Sequence, residues 1–165
     1  MIEIRPATTD DIPAIQSVAE VAFRSTYAEI LTPDQLDYMM DWMYSTTSLH
    51  SQMENEGHRY YVAWDGATPV GYVSIQQEGD NLFHLQKIYV LPERQGERLG
   101  RRLFEQACTA VKALHPAPCT LELNVNRHNR ALGFYERMGM QIARQGDFPI
   151  GNGYYMNDYI MSFSL

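Results

Sequence analysis

Two groups of residues in this chain carry types and spacings suited to chemistry. The first is Gln95-Gly96-Glu97-Arg98-Leu99-Gly100, between the apolar run Leu82–Val90 and a stretch of helical periodicity from Glu97 to Leu114. Open backbone N–H groups at a helix start, at the positive end of its dipole, bind anions. Five of the thirteen basic residues (Lys87, Arg94, Arg98, Arg101, Arg102) lie within this region. A phosphate-bearing ligand is the expectation. The loop is neither a GxxxxGK[ST] phosphate loop nor a GxGxxG dinucleotide fingerprint. The second group is the acids and aromatics of residues 1–58, which hold ten acidic and two basic side chains, while residues 59–165 hold ten acidic and eleven basic ones. This asymmetry suggests that one half receives an anion and the other faces a cation. His84, in the apolar run, is a side chain able to titrate near neutrality.

The 165 residues, 45% of them apolar, fit one domain spanning 1–165 with a core of its own. No apolar run has membrane-spanning length, and MIEIRPATTDD carries acids where a secretion signal would be basic, so no membrane association is expected. Cys108 and Cys119 read as reduced thiols of a cytoplasmic protein, with a disulfide as the alternative. The five histidines form no ligand-like pair, so no metal is expected, and a net charge of −7 argues against nucleic acid as a partner.

These residues need a scaffold, and the periodicities supply one. IEIR reads as a short strand, followed by a helix capped at Thr9-Asp10-Asp11 and carrying Ile12, Ile15, Val18, Ala22 and Phe23 on one face. Thr32-Pro33-Asp34-Gln35 opens a second helix with a capping-box pattern, and Thr46 to Asn55 a third. Arg59–Trp64, Pro69–Gln77 and Leu82–Val90, separated by Asp-Gly and Gly-Asp turns, form a predicted antiparallel meander. The Glu97–Leu114 helix follows, then strand Thr120–Asn126, helix Arg130–Met138, strand Met140–Gln145, a Gly-Asn-Gly turn and strand Tyr154–Phe163. The fold class is α+β, a mixed and mostly antiparallel central sheet flanked by helices.

In this order the parts resemble the GCN5-related N-acetyltransferase (GNAT) family across nearly the whole chain. Tyr89-Val90-Leu91-Pro92 followed by Gln95-Gly96-Glu97-Arg98-Leu99-Gly100 is similar to the family's Tyr-Val-x-Pro strand end and its Gln/Arg-x-x-Gly-x-Gly/Ala loop. Asn129, Ala131, Tyr135 and Gly139 are similar to its second signature. The resemblance implies a GNAT fold and transfer of an acetyl group from acetyl-CoA, as co-substrate, to a primary amine. It implies that the backbone of Ile88, Tyr89 and Val90 pairs with the pantetheine arm, in a splay between that strand and Thr120–Asn126. It further implies that the Gln95–Arg101 amides hold the pyrophosphate, with Gly96 and Gly100 permitting close approach and the arginines neutralising phosphate. Asn129, or Asn126 in its place, holds the arm. Tyr135 is implied as the general acid that protonates the departing sulfur, and a backbone N–H near Ile88 as the oxyanion donor.

Three positions depart from the family pattern. Arg98 stands where a glycine is usual, on a backbone expected to be helical and therefore to accommodate it. Asn129 is two residues before Ala131, where three is commoner. Gln86 stands where many relatives carry a glutamate base, which leaves His84, Glu29 or a water chain for that role. The implied acceptor pocket draws on the first two helices and the final hairpin, and in those helices Glu29, Asp34, Asp37 and Asp41 accompany Tyr27, Tyr38, Trp42 and Tyr44. Acids beside aromatics suit an ammonium, so a small cationic amine such as a polyamine is expected, bound by Tyr27, Glu29 and Gln86. Protein N-termini and lysines, amino acids and aminoglycosides are the other acceptors, and a non-catalytic acyl-CoA sensor is the alternative reading. The aromatic strand YYMNDYIMSF is a candidate for pairing with a second copy in a homodimer.

Overall fold

A computed structural model describes all 165 residues. Strand β1 (Ile2–Pro6) leads through a short 3₁₀ turn into α1 (Ile12–Tyr27), α2 (Pro33–Tyr44) and α3 (Thr46–Glu54). The meander β2 (Arg59–Asp65), β3 (Thr68–Gly79) and β4 (Leu82–Val90) follows, then α4 (Leu99–Leu114), β5 (Thr120–Asn126), α5 (Ala131–Arg137), β6 (Gln141–Gly151) and β7 (Tyr154–Ser164). Thr8, one residue before the expected cap, closes a capping box: its hydroxyl accepts from Asp10 N–H and its own N–H donates to the Asp11 carboxylate at 2.9 Å. Thr32 caps α2 as expected, accepting from Gln35 N–H, with Pro33 at the first helical position.

The seven strands form one sheet in the order β1-β2-β3-β4-β5-β7-β6. Every pair is antiparallel except β4–β5, which is parallel and extends only from Leu82↔Thr120 to His84↔Glu122. Past that point β4 and β5 have no strand partner on their facing edges, and the sheet opens. Helices cover both faces. Leu103, Phe104, Ala107 and Val111 of α4 pack on Val73, Ile75, Phe83, Leu85, Leu121 and Leu123. On the opposite face Ile15, Phe23, Met39 and Leu49 of α1–α3 pack on Tyr60, Val62 and Tyr72.

A β-bulge at Gln86 sets the orientation of everything downstream of it on β4. Ser74 opposes Lys87 and Ile75 opposes Leu85, so Gln86 is the extra residue on its strand. Before the bulge Phe83 and Leu85 belong to the α4 core; after it Ile88 and Val90 pack there, while Tyr89 packs with α1–α3.

Two expectations require correction. The strand expected at Met140–Gln145 runs to Gly151, because Asn152 (φ 53°) and Gly153 (φ 77°) form a two-residue turn that carries pairing to Gly151↔Tyr154. Pro149 and two glycines mask this strand in the sequence; at the sheet edge the missing proline N–H costs nothing. The final strand also offers no free edge to a second copy. β7 is hydrogen-bonded to β5 on one side and β6 on the other, and the sheet edges are β1 and β6.

Candidate active site

The opening between β4 and β5 is a cleft of about 830 Å³. Leu85–Val90 line one wall, Leu123–Val125 the other, the α4 start and α5 one rim, and the end of α1 with Ala28–Ile30 the opposite rim. The anion loop lies at this cleft, with Gln95, Gly96, Arg98, Leu99, Gly100 and Arg101 all facing it. Gly96 has φ +90°, and a side chain there would meet no atom within 4 Å, so the backbone is open to a ligand. Gly100 is instead close to Phe134, 3.4 Å from where its Cβ would stand, and serves the α4–α5 contact.

Arg98 is not on helical backbone, contrary to the sequence expectation. It has φ 60° and ψ 18°, the left-handed region, and α4 begins one residue later. That explains why glycine is the easier residue here: the left-handed conformation costs a side-chain-bearing residue about 1–2 kcal/mol. No side chain caps α4 and no acid sits in its first turn. Its first amides are thus left for an anion.

The structure sorts the remaining candidates. Ile88, Tyr89, Val90, Gln86, Asn129, Tyr135, Tyr27 and Glu29 all line the cleft. Asn129 also caps α5, its Oδ1 accepting from Ala131 N–H at 2.9 Å. Tyr135 is buried, and burial, with Tyr27 nearby, raises its hydroxyl pKa well above the usual tyrosine range, so it is protonated at neutral pH. Three candidates lie elsewhere. His84 sits where β4 and β5 are still paired, with Nδ1 3.2 Å from a Glu78 carboxylate oxygen; burial lowers its pKa, against the raising effect of Glu78 and Glu122. Glu97 is turned to Arg94, at 2.9 Å, and Asn126 is buried with its Oδ1 on His128 N–H. Arg94 and Arg102 are also committed away from the cleft, to Asp65 and Glu97 and to the Ile2 carbonyl.

The acidic, aromatic acceptor pocket expected from α2 does not assemble at the cleft. Asp37 pairs with Arg24 at 2.8 Å, Tyr38 donates to the Ile150 carbonyl, and Trp42 is exposed. Glu29 is the single acid among the lining residues, against Lys87, Arg98, Arg101, Arg130 and Arg137.

The family description "Acetyltransferase (GNAT) domain" matches residues 27–145. The chain belongs to the GNAT acetyltransferase family. It is an acetyl-CoA-dependent acyltransferase whose acceptor is an amine. A spermidine N(1)-acetyltransferase from Thermoplasma acidophilum is 24% identical over 146 residues, covering 86% of this chain and 89% of that one. A peptidyl-lysine N-acetyltransferase from Salmonella typhimurium is 29% identical over 84 residues, half of each chain. The crystal structure of the PaiA N-acetyltransferase from T. acidophilum in complex with coenzyme A superimposes with a TM-score of 0.82 at 22% identity, over 100% of this chain and 99% of that one, and shares its fold.

The residues present fit acetyl-CoA: an unpaired β4 edge for an amide-bearing arm, an uncapped α4 start, and for phosphate the unpaired Arg98, Arg130 and Arg137 beside Arg101, which pairs with Glu105 at 2.9 Å. Sequence reading missed several of this acetyltransferase's cleft residues. Arg130 and Arg137, seven apart on the α5 segment and so on nearly one face, add two cations, and His128 stands beside them. Their signal was the polar run Asn126–Arg130 before a short helix. Asn124 of β5 also lines the cleft, alternating with the buried Leu123 and Val125. Lys87, because of the bulge, sends its ammonium under α2 and α3, donating to Tyr60 Oη at 2.6 Å, Gln52 Oε1 at 3.0 Å and the Met43 carbonyl at 3.3 Å. Burial lowers its pKa to about 7.

Proposed function

We propose that this acetyltransferase modifies a small primary amine carrying more than one positive charge, a polyamine, by direct attack in a ternary complex. The support is the cleft's division of charge: cations gather at the α4 and α5 rim, and Glu29 alone stands at the α1 rim. A ligand anionic at one end and a partner cationic at the other fit that arrangement, and the Thermoplasma relative's name gives the same acceptor class.

Acetyl-CoA supplies an activated acyl thioester. The chain's task is to hold it, strip the attacking nitrogen of competing protons, steady negative charge on the carbonyl oxygen and protonate the sulfur. The α4 amides of Leu99–Arg101, with Arg98 and Arg101, would hold phosphate. Ile88 and Val90, on the open strand edge, would bind the arm as an added strand, and an N–H near Ile88 would serve the oxyanion without reorganisation. Tyr135, kept protonated by burial, is the proton donor to sulfur. Gln86 donates to Gln76 Oε1 at 2.7 Å and can position but not accept a proton usefully.

The test is thiol release from acetyl-CoA with spermidine, spermine, a lysine peptide and a peptide with a free N-terminal alanine, each against a no-amine control. Polyamine turnover well above the peptides is expected. Turnover of a peptide with polyamines at background would move the acceptor to proteins, where the Salmonella relative's name lies.

A further inference from the structure

On β7, among aromatic and apolar residues, stands one carboxylate, Asp158, only 4% exposed. It faces the same side of the sheet as Asn124, whose Nδ2 donates to its Oδ2 at 3.2 Å. Its other oxygen, Oδ1, is buried with no hydrogen-bond partner. No cation pairs with the carboxylate: the neighbouring Arg127 is spent on Asp147 at 2.7 Å and on the Gly146 and Asp158 backbone carbonyls at 3.3 and 3.4 Å. An incompletely satisfied buried carboxylate is costly to keep, and this one adjoins the cleft. Asn124, which hydrogen-bonds it, lines the cleft, as does Tyr27, whose hydroxyl pKa is raised by burial and further by the Asp158 charge.

The chemistry of the pair fixes its geometry. Burial raises the Asp158 pKa, against the lowering effect of the Asn124 hydrogen bond and of Arg127. The ionised carboxylate only accepts, which matches an Asn124 amide with its NH₂ turned inward to Asp158 and its carbonyl oxygen outward. Asn124 is exposed and its Oδ1 has no partner within the protein. The carboxylate behind it polarises the amide and makes that oxygen the stronger acceptor. We propose that Asn124, locked in this orientation by Asp158, receives an N–H of the acceptor amine on the β5 wall of the cleft, opposite the β4 edge. Asn124 is a substrate-binding residue and Asp158 its positioning residue. The assignment rests on the amine-acetylation reading and supplies the acceptor-side polar group that the α2 acids do not.

The experiment compares wild type, N124A and D158N, with spermidine and a lysine peptide as probes. In both variants the KM for the better amine should rise about tenfold, with the acetyl-CoA KM unchanged. D158N should melt no lower than wild type, since it removes a costly buried carboxylate, and N124A slightly lower, since it strips that carboxylate of its one hydrogen bond. A purely structural role for Asp158 would lower the melting temperature and leave the amine KM in place. If D158N does not fold, N124A carries the test, and slow solvent exchange of the Asn124 side-chain NH₂ protons in wild-type NMR spectra checks the lock. Rapid exchange there, or an N124A amine KM equal to wild type, overturns the assignment. Wild-type protein inactive on every amine overturns the underlying functional reading instead.

Discussion

At Arg98 a side chain with a use occupies a backbone that disfavours it. The left-handed conformation (φ 60°) is a glycine's, yet Arg98 faces the cleft and forms no ion pair within the protein. R98G should therefore act in two directions. Relief of left-handed strain, about 1–2 kcal/mol, outweighs the unfolded-state entropy that glycine adds, about 0.5–1 kcal/mol, so the variant melts slightly higher. It also loses a phosphate contact, so acetyl-CoA binds several-fold more weakly by calorimetry. Both changes having the same sign would defeat this account. Tyr135→Phe separates binding from chemistry: acetyl-CoA affinity holds while kcat falls about a hundredfold, the lower range for a lost general acid. The places of Gly96 and Tyr135 at the cleft were legible because backbone permissiveness and a family spacing mark them, whereas the packing of Gly100 on Phe134 was not. The commitment of Glu97 to Arg94 and of His84 to Glu78 was not, since both depend on where neighbouring side chains end up.

Among the elements, β4 shows how one extra residue redirects chemistry. Strict alternation from Phe83 would send Lys87 to the α4 core; the Gln86 bulge sends it under α2 and α3, against Tyr44 and Tyr60 with its ammonium 4.3 and 5.3 Å from their rings. The phase change shows in the sequence only as a three-residue step from Leu85 to Ile88 in the apolar alternation, and without that step Lys87 reads as part of the anion cluster. Its burial has a measurable sign. The folded-state pKa, about 7, lies below the ordinary lysine value of 10.5. Between them the unfolded chain holds a proton that the folded chain lacks, so stability rises with pH across that window. The slope for one such group is at most about 1.4 kcal/mol per pH unit. The gain is complete above pH 10.5 and absent below 7. Chemical denaturation at pH 7 and pH 9 should show this rise in wild type and a flatter response in K87M. Equal slopes in the two proteins would mean that Lys87 titrates as an exposed lysine. The helices and the meander were read correctly because their caps and turns are local; β6 was cut short because its edge position, which excuses Pro149, is a property of the sheet.

For the whole molecule, the net charge of −7 and the character of the cleft have opposite signs. Four cationic side chains, Arg98, Arg101, Arg130 and Arg137, and one acidic one line an opening in an acidic protein, the Lys87 ammonium being turned away under α2 and α3. The sequence showed the basic cluster at the loop but not the contribution of α5, which the fold brings beside the start of α4. Field lines focused into such a cleft favour entry of a polyanion at its basic rim, while a polycation is drawn to the acidic α1 rim, so salt should weaken the binding of both substrates. Raising ionic strength from 0.05 to 0.5 M shortens the screening length from about 14 to about 4 Å. Acetyl-CoA affinity should fall about tenfold over that range, and R101A with R137A together should flatten the dependence. Near the α1 rim Glu29 and the field of Asp158 are screened in turn, so a polyamine's KM also rises with salt, while that of a neutral-tailed primary amine does not. A salt-independent acetyl-CoA affinity would place its binding in the unpaired strand edge and the α4 amides rather than in the arginines. The arginine variants would then bind like wild type at every ionic strength.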